Sequence, residues 1–92
     1  MKTPRRRARE LAVQALYQAA VNSIPAAEAA KNIREMAEFG KADEGLFSKL
    51  VIGTADNAAS YMQQIRPLLD RDEKDLSPIE RAVLLMACHE LS

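Results

Sequence analysis

Four arginines crowd one short segment, Arg5, Arg6, Arg7 and Arg9, inside Thr3–Gln18, TPRRRARELAVQALYQ. Each guanidinium is a permanent cation with a planar fork that suits phosphate and stacks on nucleic-acid bases. The stretch reads as the start of a helix, and that is the wrong end for cations. A helix N-terminus carries roughly +0.5 of an elementary charge, and each cation there is disfavoured by about 0.3–1 kcal/mol. The plainer reading is a solvated, frayed helix start, the usual fate of a charge run. Two points favour phosphate binding. Helical spacing puts Arg5 and Arg9 on one side and Arg6 and Arg7 on the others, so charge surrounds the first two turns. The dipole penalty also needs an offset, and phosphates would supply it. No aromatic lies inside the cluster, so the pattern argues for polyanion binding and not for sequence readout.

Other residue types with chemical potential are weaker candidates. Gln14 and Tyr17 lie off the apolar stripe of the same helix, where a half-buried flank tyrosine is the simpler account. Cys88 and His89 are neighbours and point about 100° apart on a helix, so they form neither a metal site nor a nucleophile–base pair. A core cysteine and a histidine suited to a helix C-terminus fit them better. Asp70, Asp72, Glu73 and Asp75 resemble a cation site in composition only, without the spacing and glycine of a calcium loop. Glu80 is explained by capping, which leaves a second role open. The sequence has no glycine-rich phosphate loop, paired-carboxylate signature or nucleophile motif. Nothing in it argues for catalysis, a cofactor or a metal.

The elements that must position these residues are helices. Thr3-Pro4 reads as N-cap and first helical residue. Ala8, Leu11, Ala12, Ala15, Leu16 and Ala19 then follow at helical spacing to about Val21. Asn22-Ser23-Ile24-Pro25 breaks the pattern. A second helix is expected from Pro25, with Ala26, Ala29, Ala30, Ile33, Met36 and Ala37 inward, Lys31–Glu35 and Arg34–Glu38 as ion pairs, and Gly40 as a left-handed stop. Asp43 caps a third and longest helix, with the stripe Phe47, Leu50, Val51, Thr54, Ala58, Tyr61 and Ile65. It is expected to end or kink at Arg66-Pro67. Leu68–Leu76 could be a short helix or a loop. Ser77-Pro78-Ile79-Glu80 spells a capping box. The run Ala82–Cys88 behind it is apolar on every side and predicts a helix buried all round.

Length and composition bound the rest. The chain has 92 residues, 48% of them apolar, which suits one small folded domain. One cysteine excludes an internal disulfide framework. No apolar run approaches a membrane span, and no signal peptide is seen, so a cytoplasmic protein is the simplest reading. The zero net charge hides a dipole. Residues 1–10 hold Lys2 and the four arginines against Glu10, while the other 82 residues hold eight basic and twelve acidic side chains. Such asymmetry points to an anionic partner for the basic end. An all-round apolar final helix also lacks walls to pack against. It implies either a fragment of a longer protein or a second copy that closes the face, a homo-oligomer.

Together, RRRARELAVQALYQ (Arg5–Gln18), YMQQIRPLL (Tyr61–Leu69) and LSPIERAVLLMACHELS (Leu76–Ser92) resemble the NusB family of bacterial transcription antitermination factors. The resemblance spans essentially the whole chain. It implies an all-α fold, a small helical bundle of NusB type in two subdomains. The N-terminal helices would occupy residues 4–65 and the start of the second subdomain 66–92, with the family's last helices lacking. It implies a non-enzymatic factor that pairs with NusE, a small-ribosomal-subunit protein. The pair would bind boxA RNA within the RNA polymerase antitermination complex on ribosomal RNA operons. Carried over by position, Lys2, Arg5, Arg6, Arg7 and Arg9 match the RNA-contacting segment. Gln14 falls on the same surface, and Tyr17 and Glu80 match the NusE-facing surface. Two rival readings remain at this point. The same helical fold resembles the N-terminal domain of ribosomal-RNA cytosine methyltransferases, and a helical protein–protein module with a solubilising basic end fits the composition too.

Overall fold

A computed structural model of the chain describes residues 3–36, 40–70 and 72–91. Five α-helices carry the fold: α1 Pro4–Asn22, α2 Ala26–Arg34, α3 Glu44–Asp56, α4 Ala58–Ile65 and α5 Pro78–Leu91. Short 3-10 turns at Arg66–Leu68 and Glu73–Asp75 fill the stretch between α4 and α5 that periodicity left undecided. No strand occurs among the described residues, so the all-α expectation holds.

Helix α1 is the central element. Its stripe of Ala8, Leu11, Ala12 and Ala15 is buried. The small alanines let α2 and α3 approach closely, and Ala29, Ala30, Ile33, Phe47, Leu50 and Val51 fill the space between them, with Met86 of α5 joining the same cluster. Ser23 ends α1 in the left-handed conformation, and Ile24 N–H reaches back to the Ala19 carbonyl. The chain thus turns sharply into α2. Across the α2–α3 contact, Arg34 donates from Nη2 to Ser48 Oγ at 2.6 Å and lies over the Phe47 ring, 5.4 Å from its centre.

Three expectations need correction. Helix α2 ends at Arg34, not Gly40: Glu35 caps it in right-handed geometry, and Gly40 does not adopt a positive φ. The pairing proposed for Arg34 and Glu38 lies outside the described residues, as does Ala37. The long third helix is two helices. Asn57 donates from its side-chain amide to the Gly53 carbonyl at 2.8 Å, taking the acceptor that its own backbone N–H would use in an unbroken helix. Its backbone sits at φ −113° and ψ 11°, outside helical values, and the axis breaks there. The longest helix is therefore α1. Finally, α5 is not buried all round. Ala82, Leu85 and Met86 face inward, while Ile79 and Val83 remain 43% and 48% exposed.

A second, smaller cluster joins α4 to α5 through Tyr61, Met62, Ile65 and Leu85. Met86 belongs to the first cluster and Leu85 to the second. Successive residues of α5 therefore tie the two together.

Candidate nucleic-acid interface

The basic end is built on the first two turns of α1. Thr3 caps the helix: its Oγ1 accepts the Arg6 backbone N–H at 3.1 Å, and its carbonyl accepts that of Arg7 at 3.0 Å. Pro4 follows at the position where a missing N–H costs nothing. The Pro4 carbonyl accepts the Asp43 N–H at 3.0 Å, pinning this end to the start of α3. Asp43 in turn caps α3 by accepting the Leu46 N–H at 3.0 Å.

No acidic residue occupies the first turn of α1, so the dipole repulsion is not met there. Part of the offset comes from within the chain further along. Arg6 pairs with Glu10 at 3.6 Å, one turn on, and Arg9 pairs with Glu90 of α5 at 2.9 Å. The first pair is well exposed and of the kind worth about 0–1 kcal/mol. The second crosses between helices. No carboxylate is seen within ion-pair distance of Arg5 or Arg7 among the described residues, and Arg5 stands exposed while Arg7 is half-buried. The cluster is thus two partnered arginines and two open ones. Lys2 lies outside the described residues.

The remaining expected site residues are placed less tightly. Gln14 is exposed on α1, and Tyr17 is 40% accessible, close to the half-buried flank position expected of it. Arg6 and Tyr17 share the outward face, separated by about 16 Å along the axis at 1.5 Å per residue. Glu80 lies elsewhere, in the first turn of α5. Its Oε1 accepts the Ser77 N–H at 3.0 Å while Ser77 Oγ accepts the Glu80 N–H at 3.2 Å, the reciprocal cap expected from Ser77-Pro78-Ile79-Glu80. Glu80 also lines an apolar groove with Leu68, Leu69, Leu76, Ile79, Val83 and Leu84. The structure brings the arginines together; it does not bring Tyr17 or Glu80 to them.

One constellation escaped the sequence reading. His89 does not stand free at the end of α5: its Nδ1 makes a 2.8 Å hydrogen bond with the Tyr61 hydroxyl, and its ring lies against Gly53. Neighbouring Cys88 is half-buried, its thiol 3.8 Å from Gln64 Oε1. Tyr61 sits in α4 and Gly53 in α3, so only the tertiary fold joins them to His89. The single available signal was a glycine facing the buried stripe of an otherwise side-chain-rich helix. No group of three or more histidine, cysteine or acidic residues could hold a metal ion among the described residues. Nor is any described helix long and apolar enough to cross a membrane.

This helical frame with an arginine-laden first helix agrees with comparison to known proteins. The NusB family model matches residues 6–92. The chain belongs to the NusB family. Among curated relatives, a transcription antitermination protein NusB of Neisseria gonorrhoeae is 73% identical over 92 residues, covering all of this chain and 65% of the relative. Proteins of the same name from Laribacter hongkongensis and Chromobacterium violaceum are 48% and 45% identical, with 56% and 62% of their lengths covered. This NusB-family chain therefore spans somewhat less than two thirds of the curated relatives it matches.

Proposed function

We propose that this chain is an RNA-binding component of transcription antitermination. In this reading it binds boxA-type single-stranded RNA together with NusE, as part of the antitermination complex on ribosomal RNA operons. The observation that carries the proposal is the cluster of arginines on the first two turns of α1, with Arg5 and Arg7 open to an external anion. The similarity to transcription antitermination proteins of other bacteria supports the process.

The mechanism is electrostatic docking followed by readout elsewhere. Arg5, Arg6, Arg7 and Arg9, with Lys2, engage backbone phosphates, which position the strand without reading its sequence. Gln14 flanks the cluster and supplies an amide that can donate to and accept from a base edge. Tyr17 and Glu80 serve the protein partner: Tyr17 offers an exposed ring on the outer face of α1, and Glu80 a carboxylate at the mouth of an apolar groove. Bases are read by other groups, including those of the partner. The two-subdomain division at about residue 66 is part of the same reading, and no step in it requires catalysis.

The test is a titration of boxA RNA in the presence of NusE at several salt concentrations. For single strands log K falls by about 0.7 per neutralised phosphate for each unit of log salt, so five cations give a slope of at most roughly −3.5. A flat salt response, or full affinity after Arg5, Arg6, Arg7 and Arg9 are all replaced by Ala, overturns the assignment.

A further inference from the structure

Arg9 and Glu90 form the shortest ion pair seen among the described residues, 2.9 Å from Nη2 to Oε2. The Glu90 side chain is 27% exposed and that of Arg9 55%, so the carboxylate is the more covered partner. It is also the better anchored one. The preceding residue, His89, is tied to Tyr61 Oη at 2.8 Å and its ring packs on Gly53. The last turn of α5 is held against α3 and α4, and Glu90 is delivered from that fixed platform to α1.

We propose that Glu90 is an acidic gate on the basic end. It occupies Arg9 in the free protein, and a nucleic-acid phosphate must take Arg9 from it. The inference rests on the RNA-binding reading and refines it: Arg5 and Arg7 make first contact, and Arg9 adds its charge only when a polyanion held at those two displaces the carboxylate. The physical reason is a competition between anions. Contact with Arg9 releases counterions from the strand, but it breaks the Arg9–Glu90 pair, and the displaced Glu90 draws a cation back from solution. Both effects lower the gain from binding and flatten its salt dependence. The gate thus favours a strand that reaches several phosphates at once over an isolated phosphate group.

The experiment uses the 92-residue chain with a short single-stranded poly(U) RNA, titrated at several salt concentrations. Proteins compared are the wild type, Glu90→Gln, Glu90→Asp, Arg9→Ala and the Arg9→Ala/Glu90→Gln double variant. Circular dichroism melts confirm that each is folded. Glu90→Gln is expected to tighten binding about two- to five-fold at low salt, the scale of a partly exposed pair. It should also steepen the log–log salt slope by up to about 0.7. Glu90→Asp keeps the charge but withdraws it from Arg9, and should move both quantities in the same direction by less. In the Arg9→Ala background the Glu90→Gln gain should vanish.

Unchanged or weaker binding by folded Glu90→Gln and Glu90→Asp overturns the gate and makes Glu90 a support for Arg9. Equal tightening in the Arg9→Ala background overturns it too, as a bulk charge effect. In both cases salt-dependent wild-type binding that falls on replacing Arg5 and Arg7 leaves the RNA reading standing. A wild-type chain whose RNA binding ignores salt, or survives loss of Arg5 and Arg7, removes that reading and the gate with it.

Discussion

The imidazole of His89 lies directly on the bare backbone of Gly53. A Cβ built at Gly53 would fall inside contact distance of the ring atoms Cε1 and Nε2. Glycine in the body of α3 costs about 1 kcal/mol of helix propensity relative to alanine, and the close approach of α5 is what that cost permits.

Two glycines of α3 should therefore respond with opposite sign to the same substitution. At Gly45 an added Cβ meets only Asp43 Oδ1, at an ordinary 3.6 Å. Gly45→Ala should stabilise the chain by up to about 1 kcal/mol through propensity. Gly53→Ala gains the same propensity but must move His89, and such overpacking costs about 1–3 kcal/mol. The net outcome is a loss of up to about 2 kcal/mol. For a domain of this size each kcal/mol moves Tm by about 4–8 °C. Thermal melts of the two variants decide the matter, and equal shifts would remove the packing argument.

The Tyr61 hydroxyl should carry measurable stability of its own. Tyr61 is buried, so Tyr61→Phe keeps the ring and its apolar burial but leaves His89 Nδ1 without this partner. A loss of about 0.5–1.5 kcal/mol is expected. Tyr17→Phe, on an exposed ring, should change nothing measurable in stability. Urea unfolding of the two variants compares them, with the same m-value expected for both.

These two cases show what was legible in the sequence. Periodicity located the buried faces of α1, α2 and α3 because a single helix spells its own stripe: Ala8, Leu11, Ala12 and Ala15 are spaced 3 to 4 apart and all are buried. Local chemistry located the caps, since Thr3, Asp43 and Ser77 act on N–H groups three residues away. The break at Asn57 was missed because an asparagine that takes the Gly53 carbonyl looks, in sequence, like one that points to solvent. That α5 would lack walls was legible in its apolar run, but not that Ile79 and Val83 would be the residues left open, because such a run states a preference for burial and no direction. The arginine cluster was visible as composition, but the partnering of Arg9 depends on Glu90, which lies far along the chain and meets it only through the packing of α5.

Thr54 is the buried polar group whose hydroxyl has the weakest justification. Its residue is wholly inaccessible, and Oγ1 finds no hydrogen-bond partner. A buried unsatisfied polar group costs about 1–3 kcal/mol. Thr54→Val keeps the branched shape and removes the hydroxyl, so it should be neutral or stabilising by about 1 kcal/mol. A raised urea midpoint with an unchanged m-value is the expected result. A fall of that size would mean that the hydroxyl is satisfied within the folded chain.

The two faces of α5 should differ sharply in their tolerance. Leu85 is 6% exposed and bridges toward Tyr61, Met62 and Ile65, so Leu85→Ala leaves a cavity in the smaller cluster. The expected cost is about 2–5 kcal/mol, towards the lower end where neighbours can collapse. Val83 is two residues earlier, nearly half exposed, and lines the open groove with Leu68 and Ile79. Val83→Lys exchanges a β-branched residue for a better helix former and loses little burial, so it should stay within about 0.5 kcal/mol. It should also reduce binding of an apolar dye such as ANS. Were this face buried within the folded chain, a lysine there would cost as much as the cavity at Leu85, and paired melts of the two variants would show it.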